Sequence, residues 1–438
     1  MMRTKTVVQI VRTLLLLVVG LSCWTFLFVG DLEAYVSPGN FYQPGELTVQ
    51  VINIPNTTAP VELDVYTPVI ADTYPLVIFQ HGFTASIKGY ETISTHLASH
   101  GFVVVLPQMY PPGGGGGEPT PEAEAALGVQ IISWLETNLN SYISVTADAG
   151  LLGISGHSRG GQIAYRMALS VPSKVKALAG VDPVDGLEIF GQTLAVTGPL
   201  SFEIPTYNLG TGLGPIVIGG FLACAPKKIG PLHFYCNSPD PAWLTVATTH
   251  GHADMTDEED YSEFCPGGPD RDGMRALTAG TLAAFFSGTL QGNTAALSVL
   301  TDTASAPVPV QMERNQMGPD LDADGVCDVC DNCSATDNSG QEDTYPPQGN
   351  VCGDACDCEG NFDGDSDCDG TDAATFKADF GRNSSSRPCR AADRCDGDFK
   401  CDGDVDGTDA ALFKQDFGRN ALNNVCPVCA GIGSWCYY

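Results

Sequence analysis

The chain has 438 residues, 52 acidic side chains against 21 basic ones, a net charge of −31 and 43% hydrophobic residues. That length is more than one compact core needs, so two or more domains are expected. The acid excess excludes a nucleic-acid partner, because phosphate binding requires a basic face.

At the N-terminus, Arg3, Lys5 and Arg12 precede an uncharged apolar stretch from Leu14 to Gly30. Residues 1–34 read as an export signal or, given the length of the apolar part, as a retained single-helix anchor. Either reading makes the rest of the chain extracytoplasmic, secreted or held at the cell surface, with the membrane reached only through this segment. Cysteine usage agrees. Apart from Cys23, three cysteines (Cys224, Cys236, Cys265) lie mid-chain and thirteen follow from Cys327 onward. With odd numbers in both parts, either one disulfide joins the parts or a thiol stays free in each. Cys224 and Cys236 share one loop and are expected to bridge each other, leaving Cys265 to pair elsewhere.

Between Leu47 and Thr289 apolar runs alternate with helical patterns. Strands are expected at Pro75–Gln80, Phe102–Pro107, Gly150–Ser155, Val175–Val181, Ile204–Leu209 and Leu244–Thr248. Helices are expected at Tyr90–Ser99, Pro121–Asn138, Gln162–Leu169 and Met274–Gly288. Strands that are apolar throughout and separated by helices predict an α/β fold, a mostly parallel sheet covered on both faces. This domain is placed at 45–295. Residues 296–317, rich in Ser, Thr, Ala and Pro, read as a linker.

Within that domain Gly156-His157-Ser158-Arg159-Gly160 sits between an apolar run and a helical stretch. G-x-S-x-G in strand–turn–helix context is the nucleophile turn of an α/β-hydrolase fold, with Ser158 as nucleophile. Its base should follow it in sequence, which leaves His233, His250 and His252; the last two follow a strand tip and are not separated by spacing alone. The strand after which the acid usually stands, Ile204–Leu209, leads into Gly210–Gly214 with no carboxylate. The preceding strand ends in Asp182-Pro183-Val184-Asp185. Asp182, nearest the tip, stands ahead of Asp185, whose other reading is a turn cap. Oxyanion donors are expected at the Arg159 amide and, after Pro75–Gln80, at the Phe83 amide, with Gly82 allowing the close approach.

At these residues the chain resembles chlorophyllases, a branch of the α/β-hydrolases. The resemblance runs through His81-Gly82-Phe83, Gly156–Gly161, Ala179–Gly186, Gly210–Gly214, Cys224-Ala225-Pro226, His233-Phe234-Tyr235-Cys236 and Gly251-His252-Ala253-Asp254-Met255. It implies Ser158, Asp182 and His252 as a catalytic triad and a small-molecule or polymer ester as substrate, with no cofactor for catalysis. Polyester, lipid and acetylated-polysaccharide esters are the alternatives within that chemistry. A reading of another class is a calcium-dependent attachment protein with an inert hydrolase domain.

After Gly318 the composition changes to 25 acidic and 8 basic residues. Three segments place oxygen side chains at calcium-loop spacing. The first is Asp320, Asp322, Asp324, Asp328 and Asp331, with Gly325 at the turn; continued through residue 358, it resembles a thrombospondin type 3 repeat. The second is Asn361, Asp363, Asp365, Asp367, Asp369 and Asp372. The third is Asp398, Asp402, Asp404, Asp406 and Asp409, weakened by Lys400 at an oxygen position. Asp369–Asn383 and Asp406–Asn420 repeat each other, and short helices are expected at Ala373–Phe380 and Ala410–Phe417. Residues 359–425 thereby resemble duplicated dockerin modules, which implies calcium as ligand and a cohesin-type protein partner. The other reading of the Phe376/Phe380 and Phe413/Phe417 pairs is mutual packing across the duplication. A cysteine-containing tail, 426–438, ends the chain.

Overall fold

A computed structural model of the chain describes residues 40–113, 117–186, 193–216, 223–257 and 265–315, and most positions within 321–338, 353–362 and 367–420. The N-terminal apolar segment and the tail after residue 425 lie outside the described residues. Among the described residues no helix is long and apolar enough to cross a membrane.

Among the described residues nine strands form one sheet: β1 (Val49–Ile54), β2 (Glu62–Pro68), β3 (Thr73–Gln80), β4 (Val103–Gln108), β5 (Thr146–His157), β6 (Val175–Val181), β7 (Thr206–Thr211), β8 (Ala242–Ala247) and β9 (Val310–Arg314). Their order is β1-β2-β4-β3-β5-β6-β7-β8-β9. The six strands expected from sequence are the parallel ones, β3 to β8. The strands not expected, β1, β2 and β9, all join the sheet antiparallel. β9 lies inside the stretch read as a linker and pairs along β8 from Trp243↔Arg314 to Ala247↔Val310.

Successive residues of a strand face opposite sides of the sheet, so a strand apolar throughout feeds two cores. Val77 and Phe79 of β3 pack with Ile93 and Leu97 of α1 (Glu91–Ser99) and with Phe285 and Phe286 of α5 (Arg271–Leu290). Their neighbours Leu76 and Ile78 pack on the other face, with Ile131 and Leu135 of α2 (Pro121–Asn138) and Ile163 and Met167 of α3 (Arg159–Ser170). The expected α/β-hydrolase architecture, a mostly parallel sheet under helices on both faces, is the one observed. Its consequence for the site is that the carboxyl ends of β3, β5, β6 and β8 open on one edge.

The acidic region holds two further helices, α6 (Gly370–Asp379) and α7 (Gly407–Asp416), each opened by a capping box, Asp369/Asp372 and Asp406/Asp409. The copies exchange backbone hydrogen bonds reciprocally. Gly381 donates to the Val405 carbonyl and Gly418 to the Cys368 carbonyl, 2.8 Å each. Phe376 and Phe413 stack across this axis with ring centroids 4.9 Å apart, while Phe380 and Phe417 remain 52% and 50% exposed. The duplication thus packs against itself through one phenylalanine of each pair. Cys368 fills the place that Val405 fills in the other copy and is a buried thiol with no disulfide.

The expected Cys224–Cys236 bridge is not formed. Cys224 pairs with Cys265, Cα–Cα 5.7 Å, and Cys236 with Cys330, Cα–Cα 5.6 Å. Cys236 ends the short helix α4 (Pro231–Cys236), and Cys330 of the acidic region packs into the small apolar cluster around Tyr235 and Leu244 beside it. Proximity across the fold, not along the loop, selects the partner. One disulfide therefore joins the two parts of the chain, the first of the two outcomes that the odd counts allowed. Cys333–Cys356 and Cys389–Cys395 lie within the acidic region.

Candidate active site

Ser158 stands at the turn between β5 and α3 with φ 56° and ψ −125°. The turn is tight enough that a Cβ on Gly156 would lie 2.2 Å from the Gly160 carbonyl oxygen, and one on Gly160 2.3 Å from that of Gln80. Both positions therefore require glycine. Among the described residues the non-glycine positions at positive φ are Thr84, Ser158 and Asp182. Each follows a strand tip, and backbone strain is concentrated where functional groups are presented.

The residues nominated from sequence come together in one line. His252 Nε2 lies 2.8 Å from Ser158 Oγ, and His252 Nδ1 lies 2.6 Å from Asp182 Oδ2. An ionised carboxylate only accepts, so Nδ1 carries the imidazole proton and Nε2 accepts from the serine hydroxyl. Asp182 is buried, and its two oxygens also accept from the Thr211 amide (3.0 Å) and hydroxyl (2.7 Å). Thr211 ends β7, at the strand tip where a carboxylate was looked for and not found. It instead donates to Asp182, which stands one strand earlier.

The competing candidates are engaged elsewhere. His250 Nε2 meets the Asp270 carbonyl oxygen at 3.0 Å. His233 Nε2 lies 3.2 Å from Asp185 Oδ2 and 3.1 Å from the Val196 carbonyl oxygen. Asp185 accepts from the Ala195 and Val196 amides, 2.6 and 2.9 Å, a tie to the far side of a loop in place of the local turn cap weighed for it.

Two further groups border the nucleophile without having been expected. The Arg159 side chain is buried, donates to Glu124 Oε2 at 2.8 Å and lies 5.4 Å from the centre of the Phe83 ring. It thereby connects the two residues named as oxyanion donors. Burial lifts the Glu124 carboxyl to about 7 against the opposing pull of Arg159. The sequence carried a signal for Glu124: it stands on the α2 stripe of Gly128, Ile131 and Leu135, a charge on an apolar face. Tyr90 also borders the site, and nothing in the sequence distinguishes it from an ordinary core tyrosine.

In the acidic region, carboxylate oxygens of Asp322, Asp324 and Asp331 lie within 4.8 Å of one another, as do those of Asp367, Asp369 and Asp372 and those of Asp404, Asp406 and Asp409. Asp328 and Asp398 are not among these groups; Asp328 accepts from the Leu321 amide, and Asp398 from the amides of Asp402 and Gly403. Asp402 is likewise outside them, Asn361 is buried, and Asp320, Asp363 and Asp365 lie outside the described residues. The groups suit a hard cation: Asp322 Oδ2 is buried without a hydrogen-bond partner, and burial together with Asp324 and Asp331 pushes that carboxyl above the usual range.

Comparison with known proteins bears on residues 37–317, which match the family model named Chlorophyllase. Chlorophyllase-2 of Arabidopsis thaliana is 32% identical over 58% of this chain and 86% of that protein. Chlorophyllase-1 of Arabidopsis thaliana is 31% identical over 59% of the chain and 86% of its own length. The chloroplastic chlorophyllase-1 of Citrus unshiu is 31% identical over 61% and 84%. With the family model spanning most of the chain and the sheet carrying the hydrolase architecture, this protein belongs to the chlorophyllase family of hydrolases.

Proposed function

We propose that the protein is an exported carboxylic ester hydrolase that works through an acyl-enzyme on Ser158. The observation that carries this reading is the line Asp182–His252–Ser158, with distances of 2.6 and 2.8 Å, at a strained turn. Ser158 Oγ attacks the ester carbonyl as His252 Nε2 takes its proton, and the imidazolium returns that proton to the leaving alcohol. Asp182, held by Thr211, fixes the tautomer and stabilises the charged imidazole. The amides of Phe83 and Arg159 donate to the oxyanion as it forms. Water then repeats the sequence on the acyl-enzyme.

The relatives' names point to a chlorophyll ester. The exported setting and the acidic region widen the panel to polyester, lipid and acetylated-polysaccharide esters. In the acidic region, the three aspartate groups would hold calcium, which would neutralise carboxylates that otherwise repel and so add to the folding of a region poor in apolar side chains. A cohesin-type partner is the docking expectation for the duplicated helices.

Hydrolysis of a p-nitrophenyl ester and of that panel, by the wild-type chain and by Ser158→Ala, is the test. The variant is expected to lose kcat by on the order of 10⁴ or more. An unchanged kcat in Ser158→Ala would refute the assignment.

A further inference from the structure

One buried hydrogen-bonded chain crosses beneath Ser158. The Gly82 amide donates to Tyr90 Oη at 3.0 Å, Tyr90 Oη lies 2.8 Å from His157 Nδ1, and His157 Nε2 lies 2.8 Å from the His252 carbonyl oxygen. A carbonyl oxygen only accepts, so Nε2 carries the His157 proton. Burial, helped by the neighbouring His252, holds that imidazole neutral, well below the ordinary histidine range. Nδ1 is then bare and accepts the Tyr90 hydroxyl proton, while the hydroxyl oxygen accepts from Gly82. Every proton in the chain has one direction.

The two ends of this chain matter more than its middle. One end is the backbone of Gly82, next to the Phe83 amide that would receive the oxyanion. The other is the backbone of His252, the residue that would move the proton. Those loops follow β3 and β8, which are separated in the sheet by β5, β6 and β7. His157 bridges them from the tip of β5, one residue before the nucleophile. Space is closed at the same point: a Cβ on Gly82 would lie 3.1 Å from both His157 Nδ1 and Tyr90 Oη. The His157 and His252 rings also pack with centroids 4.6 Å apart. A core polar group satisfied for its own sake would be expected to find partners in the sheet or helices. Here both terminal partners are backbone atoms of loops that bear reacting groups.

We infer that Tyr90 and His157 are positioning residues that lock the oxyanion loop and the base loop to one another across the nucleophile. The inference rests on the reading of Ser158 and His252 as ester-hydrolysing groups. Neither side chain meets the substrate carbonyl in this scheme. They set the distance between the donor that stabilises charge and the base that creates it, and rate is sensitive to displacements well under an ångström at such centres.

The experiment uses the full chain, with kcat expressed per Ser158 titrated by a fluorophosphonate. Tyr90→Phe deletes only the hydroxyl and is expected to lower kcat about tenfold; His157→Met removes donor and acceptor and is expected to lower it about a hundredfold, both with KM nearly unchanged. His157→Gln keeps an amide able to reach the His252 carbonyl and should recover part of that loss. Because both residues serve one chain, the double variant Tyr90→Phe/His157→Met should be no worse than His157→Met alone. Hydrogen exchange at the Gly82 amide gives a readout independent of turnover and should accelerate about tenfold or more in Tyr90→Phe. Variants that melt with the wild type, keep its kcat and leave Gly82 exchange unchanged overturn the inference. Fully multiplicative losses in the double variant overturn it too. If no ester is turned over even by the wild type while Gly82 exchange still accelerates, the ester reading fails and the loop coupling stands.

Discussion

Between Phe41 and Val308 the chain buries two continuous apolar layers, one on each face of the sheet; among the described residues beyond 321 the buried apolar set shrinks to three phenylalanines, one valine and a few cysteines. The first region can offset chain entropy by burial alone, whereas the second leans on disulfides and on whatever neutralises its carboxylates. The strained backbone differs in the same way. In the sheet region the positive-φ positions other than glycine gather at Thr84, Ser158 and Asp182, around the candidate active site. In the acidic region those described at positive φ are all glycine, at helix ends and loop turns. A deep core tolerates strain at a reacting centre, and a shallow one is built from turns that carry none.

The largest effect that sharpens this contrast separates two aspartates three residues apart at one strand tip. Asp182→Asn is expected to lower kcat by about 10³-fold or more, whereas Asp185→Asn should stay within about tenfold of wild type, because Asp185 holds the Ala195 and Val196 amides and not the base. Steady-state kinetics on both variants decide it, and a reversed ranking would move the acid to Asp185.

Next comes removal of calcium. Chelation is expected to loosen the acidic region, seen by circular dichroism and protease resistance, while ester hydrolysis continues. Titrating the ion back should fill the group at Asp367, Asp369 and Asp372 before that at Asp404, Asp406 and Asp409, since Lys400 puts a cation at an oxygen position of the latter loop. An acidic region equally ordered in excess chelator breaks the comparison. So does loss of hydrolysis on chelation.

The smallest effect is acid sensitivity of the sheet region. Burial, with His100 alongside, holds His96 near 4 instead of 6.5. The folded-state value is depressed for a base, so the unfolded chain takes the proton first. Stability is therefore intact above about pH 6.5, falls as pH drops towards about 4, and changes no further from this group below that. Thermal melting of wild type and His96→Gln across this window should show the shallower pH dependence in the variant. Parallel curves would remove His96 as a cause.

What could be read from the sequence follows the physics of each signal. The six parallel strands announce themselves because burial on both faces leaves uninterrupted apolar runs such as Val103–Leu106. β1, β2 and β9 do not: β2 carries Asp64, buried and paired with Lys88 at 2.6 Å, and β9 reads Val-Gln-Met-Glu-Arg. The elbow was legible because its glycines are sterically forced. Between His250 and His252 the residues alone gave no choice, since the difference is only which ring points back across the sheet. Disulfide partners were misread for a related reason. Spacing along a loop says nothing of where α4 delivers Cys236. Tyr90 was invisible because its hydroxyl acquires meaning only from the loops it touches.

The Cys236–Cys330 bond has a mechanical consequence. A pull on the acidic region, from a docked partner or a surface, enters the hydrolase fold at Cys330 and passes through sulfur to the end of α4. β9 precedes Cys330 along the chain, so a load carried through the sulfur does not run through it. β9, an edge strand held by a single antiparallel ladder and the natural place for the sheet to be unzipped, is therefore shielded from tension. Force reaches a helix next to the Asp185–His233 clamp instead, while the ladder that closes the sheet bears none of it.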